Sequence, residues 1–145
     1  MNLQEMIQEN ILLGYSEENA QAKVCQDLIL IGLSKSSLSR NATIKGGVVM
    51  RSISNNVRRA TQDLDIDFIR YSLSDDSIKT FIDKINNIPE ITITITGNIK
   101  KLKQQDYKGK RVYVVIKDET GYSIQSKIDY VDAVLGRVLP KFSEA

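Results

Sequence analysis

Apolar residues recur at helical spacing through the first third of the chain and alternate with polar ones over most of the remainder. Leu3, Met6, Ile7 and Ile11 sit three and four apart, which predicts an amphipathic helix at the N-terminus. Ser16, followed by Glu17 and Glu18, has the form of an N-cap with a favourable acidic first turn. The helix it opens, EENAQAKVCQDLILIGLSKS, is apolar enough to be largely buried. SSLSRN predicts a loop, ATIKGG a short strand running into two glycines, and VVMRSISNNVRR a helix. QDLDIDFIRY has strict period two, the mark of a strand with one apolar face. Ser74 caps the next helix, SDDSIKTFIDKINN, whose buried stripe is Ile78, Phe81, Ile82 and Ile85. After Pro89 comes a β-branched alternating strand, EITITITG. NIKKLKQQDYKGK predicts a polar, basic connection ending near Gly109. RVYVVIKD and YSIQSKIDYVDAV predict two further strands around a turn containing Gly121, and LGRVLPKFSEA a short tail. The order is two helices, then strand–helix–strand–helix–strand–strand–strand, a two-layer α/β or α+β arrangement.

Bulk composition narrows the chemistry mainly by exclusion. With 145 residues the chain fits one domain that buries roughly 70% of its unfolded surface. A net charge of +2 is too small to imply a nucleic-acid partner by itself. There is no apolar run of membrane length and no signal-peptide pattern. The single cysteine, Cys25, cannot form an internal disulfide, and a reducing cytoplasm fits best. Histidine is absent, which excludes Ser-His-Asp and Cys-His nucleophiles and histidine-built zinc sites. Chemistry here must run on carboxylates, lysine, arginine, hydroxyls and hard, oxygen-loving metals.

Asp63, Asp65 and Asp67 alternate with Leu64, Ile66 and Phe68. Residues two apart on a strand share a face and lie roughly 6.5–7 Å apart. Carboxylates that close raise one another's pKa unless a cation sits among them. Two of them can converge on one or two Mg²⁺ ions. A calcium loop needs glycine at its sixth position, where this chain has Phe68. The haloacid-dehalogenase phosphatases place their aspartate pair at the end of a hydrophobic strand, whereas this one begins it. A solvated strand face is the plain alternative. Upstream, Lys45-Gly46-Gly47 stands between a strand and a helix, where glycines admit a phosphate and a helix start offers unpaired N–H groups. Placed one helix before the acidic strand, the turn reads as a phosphate cradle facing a metal site.

IKGGVVM followed by RATQDLDIDF resembles the nucleotidyltransferase toxins of the abortive-infection AbiEii type, which belong to type IV toxin–antitoxin and phage-defence systems. Their pattern is a Gly-Gly or Gly-Ser turn, a helix, then R-x-[ST]-x-D-[IL]-D on a strand. Gly46, Gly47, Arg59, Thr61, Asp63 and Asp65 occupy those positions. The resemblance implies an α+β, polymerase-β-like nucleotidyltransferase fold: a mixed sheet with helices mainly on one face and two N-terminal helices. It implies a third carboxylate from a later strand, for which Asp129 in SKIDYV is the natural match and Asp132 and Asp67 are further candidates. It also implies Mg²⁺ or Mn²⁺ on Asp63, Asp65 and Asp129, and a nucleoside triphosphate on Gly46 and Gly47, with Lys45, Arg59 and Thr61 in the nucleotide site. The acceptor would be an RNA such as tRNA, and the partner a cognate antitoxin. Family members usually continue into a helical domain with further lysines and arginines, so the expectation for residues 1–145 is the nucleotidyltransferase domain alone.

Two basic features keep double readings. Lys100, Lys101, Lys103, Lys108, Lys110 and Arg111, with Tyr107 among them, form either a solvated loop or a phosphate-contacting rim on which Tyr107 stacks a base. Arg51, Arg58 and Arg59 precede the acidic strand, and Arg59 either pairs with an aspartate or contacts a triphosphate. A non-catalytic nucleotide- or partner-binding module retaining the fold is the alternative to an enzyme.

Overall fold

A computed structural model describes residues 2–45, 64–68, 71–104 and 107–132; at 43–45, 65, 67, 103–104, 107–108 and 131–132 the description is of the backbone. Two helices open the chain, α1 (Leu3–Leu12) and α2 (Glu17–Ser34), and a third, α3 (Asp75–Ile85), follows later. Ser16 and Ser74 cap α2 and α3 by accepting from the backbone N–H groups of Asn19 and Ser77, each at 3.2 Å, as their sequence context predicts. The expected loop after α2 is instead a short 3-10 helix, Ser37–Arg40. Ser36 nucleates it by accepting from the Leu38 N–H at 3.1 Å.

The strands are β1 (Ala42–Lys45), β2 (Leu64–Phe68), β3 (Thr92–Gln104), β4 (Tyr107–Lys117) and β5 (Ser123–Asp132). They form one mixed sheet in the order β1-β2-β5-β4-β3. After the meander β3-β4-β5, the last strand returns to lie between β4 and β2, antiparallel to the first and parallel to the second. That return brings the acidic strand near the middle of the chain beside the acidic strand near its end.

One expectation is corrected. The basic stretch NIKKLKQQDYKGK is not a connection but mostly ladder, with Lys100 opposite Arg111 and Lys103 opposite Lys108. Gly97, at φ 68°, lies in the register irregularity between Thr96 and Lys100. A glycine there takes a left-handed backbone that a β-branched residue could not. Beyond it pairing resumes, and β3 is the sheet edge, where lysines discourage edge-to-edge association.

The buried layer follows from the alternation. Leu64, Ile66 and Phe68, Val112, Val114 and Ile116, and Ile128 and Tyr130 are all buried, with Ile78, Phe81, Ile82 and Ile85 of α3 and Leu28, Ile29 and Leu33 of α2. Phe68, Phe81 and Tyr130 pack ring to ring at centroid distances of 4.9–5.4 Å. Gly32 lets α2 touch α3's last turn: a Cβ there would stand 2.4 Å from the Ile85 carbonyl oxygen. Cys25 belongs to this core. Burial pushes its thiol up to about 12, so it is no nucleophile. The other alternation of the sheet is exposed or half-buried, including Thr92, Thr94, Arg111, Tyr113, Lys127 and Asp129. No helix among the described residues is long and apolar enough to cross a membrane.

Asp118 ties the two ends of this layer together. Its Oδ2 accepts from the Leu3 N–H at 2.9 Å, and its Oδ1 from the Thr120 N–H and hydroxyl at 2.9 and 2.6 Å. The Thr120 hydroxyl, then the Leu3 amide, hold its pKa below the ordinary value. A depressed pKa contributes stability above the unfolded value, lost as pH falls through the folded one. Thermal melts should therefore show wild type above Asp118→Asn at neutral pH. The gap should close as pH falls below about 4. A gap constant down to low pH would mean the carboxylate charge has no part in the clip.

Candidate functional site

Four register pairs join into one row across the sheet. Lys45 lies opposite Asp65, Asp65 opposite Asp129, Asp129 opposite Arg111, and Arg111 opposite Lys100. Neighbouring strands stand about 4.8 Å apart, so residues distant in sequence become adjacent. The row reads Lys, Asp, Asp, Arg, Lys. Like charges directly opposite on a sheet are destabilising, and here each end of the acidic pair is bounded by a cation position.

The best-defined contact in the row is the fork between Arg111 and Asp129. Arg111 Nε donates to Asp129 Oδ1 at 2.7 Å and Nη2 to Oδ2 at 2.9 Å. Only 14% of the Asp129 side chain is exposed, so the pair is largely withdrawn from water. The hydrogen bond to Asp129, with the attraction of its charge, raises the already high pKa of Arg111 further. Arg111 is a fixed cation. Sequence reasoning set it at the start of the strand RVYVVIKD, grouped it with the basic residues before it, and missed this partnership. The usable signal was the alternation of RVYVVIK, which sets residue 111 opposite in sense to the buried valines.

The predicted site residues fall into two groups. Asp65 and Asp129 are brought together by register, and Lys45 lies one strand further out. Gly46, Gly47, Arg59, Thr61 and Asp63, with Arg51 and Arg58, lie outside the described residues. The further carboxylate candidates have other neighbours: Asp67 pairs with Val131, and Asp132 with the buried Phe68. Asp132 also shares the alternation of buried Ile128 and Tyr130, not that of Asp129.

Carboxylate oxygens suit Mg²⁺ or Mn²⁺. Among the described residues no three acidic, histidine or cysteine side chains converge on a metal position, and Asp63 is not among them. Asp129 retains coordination capacity, because a carboxylate offers about four lone-pair sites and Arg111 uses two of them.

The basic stretch divides by alternation. Lys110 turns to α3 and pairs with Asp75 at 2.6 Å. Lys100 instead lies over the Tyr113 ring, its Nζ 5.1 Å from the centroid. Tyr107, which stacks a base in one of the two sequence readings, pairs in register with Gln104 near the hairpin end.

A family model described as "Nucleotidyl transferase AbiEii toxin, Type IV TA system" matches residues 28–144. The chain belongs to this family. The match begins within α2 and takes in all five described strands, so every residue of the row lies inside the AbiEii region. No curated protein matches this AbiEii chain.

The fork has a measurable consequence. Removing one partner of a buried pair leaves the other charge uncompensated. Arg111→Ala should cost about 1–3 kcal/mol in urea denaturation. Adding Asp129→Asn should recover much of that loss. Equal stability of Arg111→Ala and wild type would show that the fork contributes nothing in solution.

Proposed function

We propose that this AbiEii chain is a metal-dependent nucleotidyltransferase of the polymerase-β-like fold, moving a nucleoside monophosphate from a triphosphate to an RNA such as tRNA. It would act in the cytoplasm as the toxin beside a cognate antitoxin. The observation that carries the reading is the register of Asp65 against Asp129 on parallel strands, together with family membership.

Asp63, Asp65 and Asp129 would hold Mg²⁺ or Mn²⁺, which when bound neutralises phosphate charge and lowers the pKa of the attacking hydroxyl. Gly46 and Gly47 would let the backbone approach the phosphates, with Lys45, Arg59 and Thr61 completing the nucleotide's contacts. The acceptor hydroxyl oxygen attacks the α-phosphorus, and the bond from that phosphorus to the β-phosphate oxygen breaks. Pyrophosphate leaves, and the hydroxyl proton passes to a lone pair of Asp129 that Arg111 leaves free. Arg111 orients Asp129 and bounds the acidic pair on its far side.

One observation favours a second reading. Arg111 engages both oxygens of Asp129, an arrangement also suited to a binding module that keeps the fold without the reaction. Incubation with labelled nucleoside triphosphates, Mg²⁺ and total tRNA separates the two. The enzyme reading expects label on RNA from wild type and none from Asp65→Asn or Asp129→Asn. Gly47→Ala should stay folded yet lose about 100-fold in transfer rate, since misplacing the phosphates by about 1 Å costs that much. Triphosphate binding without transfer in wild type would favour the module, and unchanged transfer in Gly47→Ala would remove the cradle.

A further inference from the structure

The exposed alternation of β4 holds an aromatic for which the transfer reading has no role. Tyr113 follows Arg111 by two residues and shares its alternation, opposite in sense to the buried Val112 and Val114. Its ring is half-buried and lies beneath the Lys100 ammonium at 5.1 Å. Arg111 stands two residues before it on the same alternation of β4, and Lys127 is its register partner on β5. Cation positions thus flank one aromatic on both neighbouring strands. Arg111, on the same face, is the residue that forks Asp129. A π-face framed by positive charge is the chemistry that takes a nucleobase with its phosphate.

Position selects which nucleotide. Lys45, with Gly46 and Gly47 directly after it, lies on the β1 side of Asp65, so the triphosphate belongs to that side. Tyr113 lies on the opposite side of Asp129, one strand over and two residues along. That offset is about 8 Å between Cα atoms from standard strand spacings, comparable to the span from a ribose hydroxyl to its own base. Resting on the transfer reading, we infer that Tyr113 seats the base of the terminal nucleotide of a single-stranded RNA acceptor, while Lys100 takes its phosphate. The ammonium now over the ring is no obstacle. An exposed cation–π contact is weaker than base–aromatic stacking, and Lys100 is exposed on a long side chain.

Equilibrium binding of a fluorescein-labelled oligouridylate with a free 3′-hydroxyl, followed by anisotropy without triphosphate or metal, tests the seat apart from the reaction. Tyr113→Ala should weaken binding about tenfold, the size of one lost stacked base, and Tyr113→Phe should restore it. Tyr113→Leu retains apolar bulk on the strand and replaces the alanine variant if that one melts early. Lys100→Ala should flatten the slope of log affinity against log salt by about 0.7, one phosphate contact on a single strand. The stabilisation of Tyr113→Ala by triphosphate and Mg²⁺ should equal that of wild type. The inference is overturned if wild type does not bind the RNA, or if Tyr113→Ala binds it unchanged, which would leave the face to a protein partner. It is also overturned if Tyr113→Ala loses the triphosphate's stabilisation while keeping RNA affinity, which would give the ring to the incoming base. RNA binding through Tyr113 in a protein that transfers nothing supports the seat and counts against the transfer reading alone.

Discussion

The parallel pairing of β2 with β5 is the constraint on which the rest of the molecule depends. Leu64, Ile66 and Phe68 on one strand and Ile128 and Tyr130 on the other are fully buried. Burying a side chain of this size is worth about 1.5–3 kcal/mol. The repulsion of two carboxylates facing across a ladder is nearer the roughly 0.2–1 kcal/mol of a cross-strand pair. The apolar face therefore decides the register, and the acidic face accepts what that register brings. A slip of one residue would carry the buried set to the open side, so the juxtaposition of Asp65 and Asp129 is as firmly specified as the core.

Both faces of the sheet contribute to one arrangement. Beneath it, Phe68, Phe81 and Tyr130 lock β2, β5 and α3 together, and Gly32 allows α2 to close on α3. Above it, Arg111 holds Asp129 by a two-point fork whose planar geometry a lysine would not reproduce. The guanidinium stands where an acidic pair requires positive charge. A cation taken up by the carboxylates would share that task, so the same row would serve both fold stability and the proposed chemistry.

Much of this was legible in the sequence because it rests on local patterns. The caps Ser16 and Ser74, the helical stripe of α3 and the period-two run around Asp65 each declare themselves within a few residues. Asp129 was legible only through the family resemblance, since its alternation alone does not say which strand lies beside it. The long hairpin was misread because Lys100, Lys101 and Lys103 argue for solvent by composition, while antiparallel pairing with β4 supplies the strand. Arg111 and Tyr113 escaped for the same reason: their roles come from partners on other strands, and strand order is not written locally. Gly46, Gly47, Arg59, Thr61 and Asp63 lie outside the described residues, and their roles rest on the resemblance and on the physical argument for a phosphate turn.

The central claim is that carboxylates on two different strands serve one ion. Mn²⁺ affinity, measured by electron paramagnetic resonance with a nucleoside triphosphate present, tests it through Asp65→Asn, Asp129→Asn and the double variant. If both residues bind the same ion, each single substitution weakens Mn²⁺ binding, and the double variant loses markedly less than the product of the two single losses. Losses that multiply, or a single substitution that leaves Mn²⁺ affinity unchanged, would contradict the account.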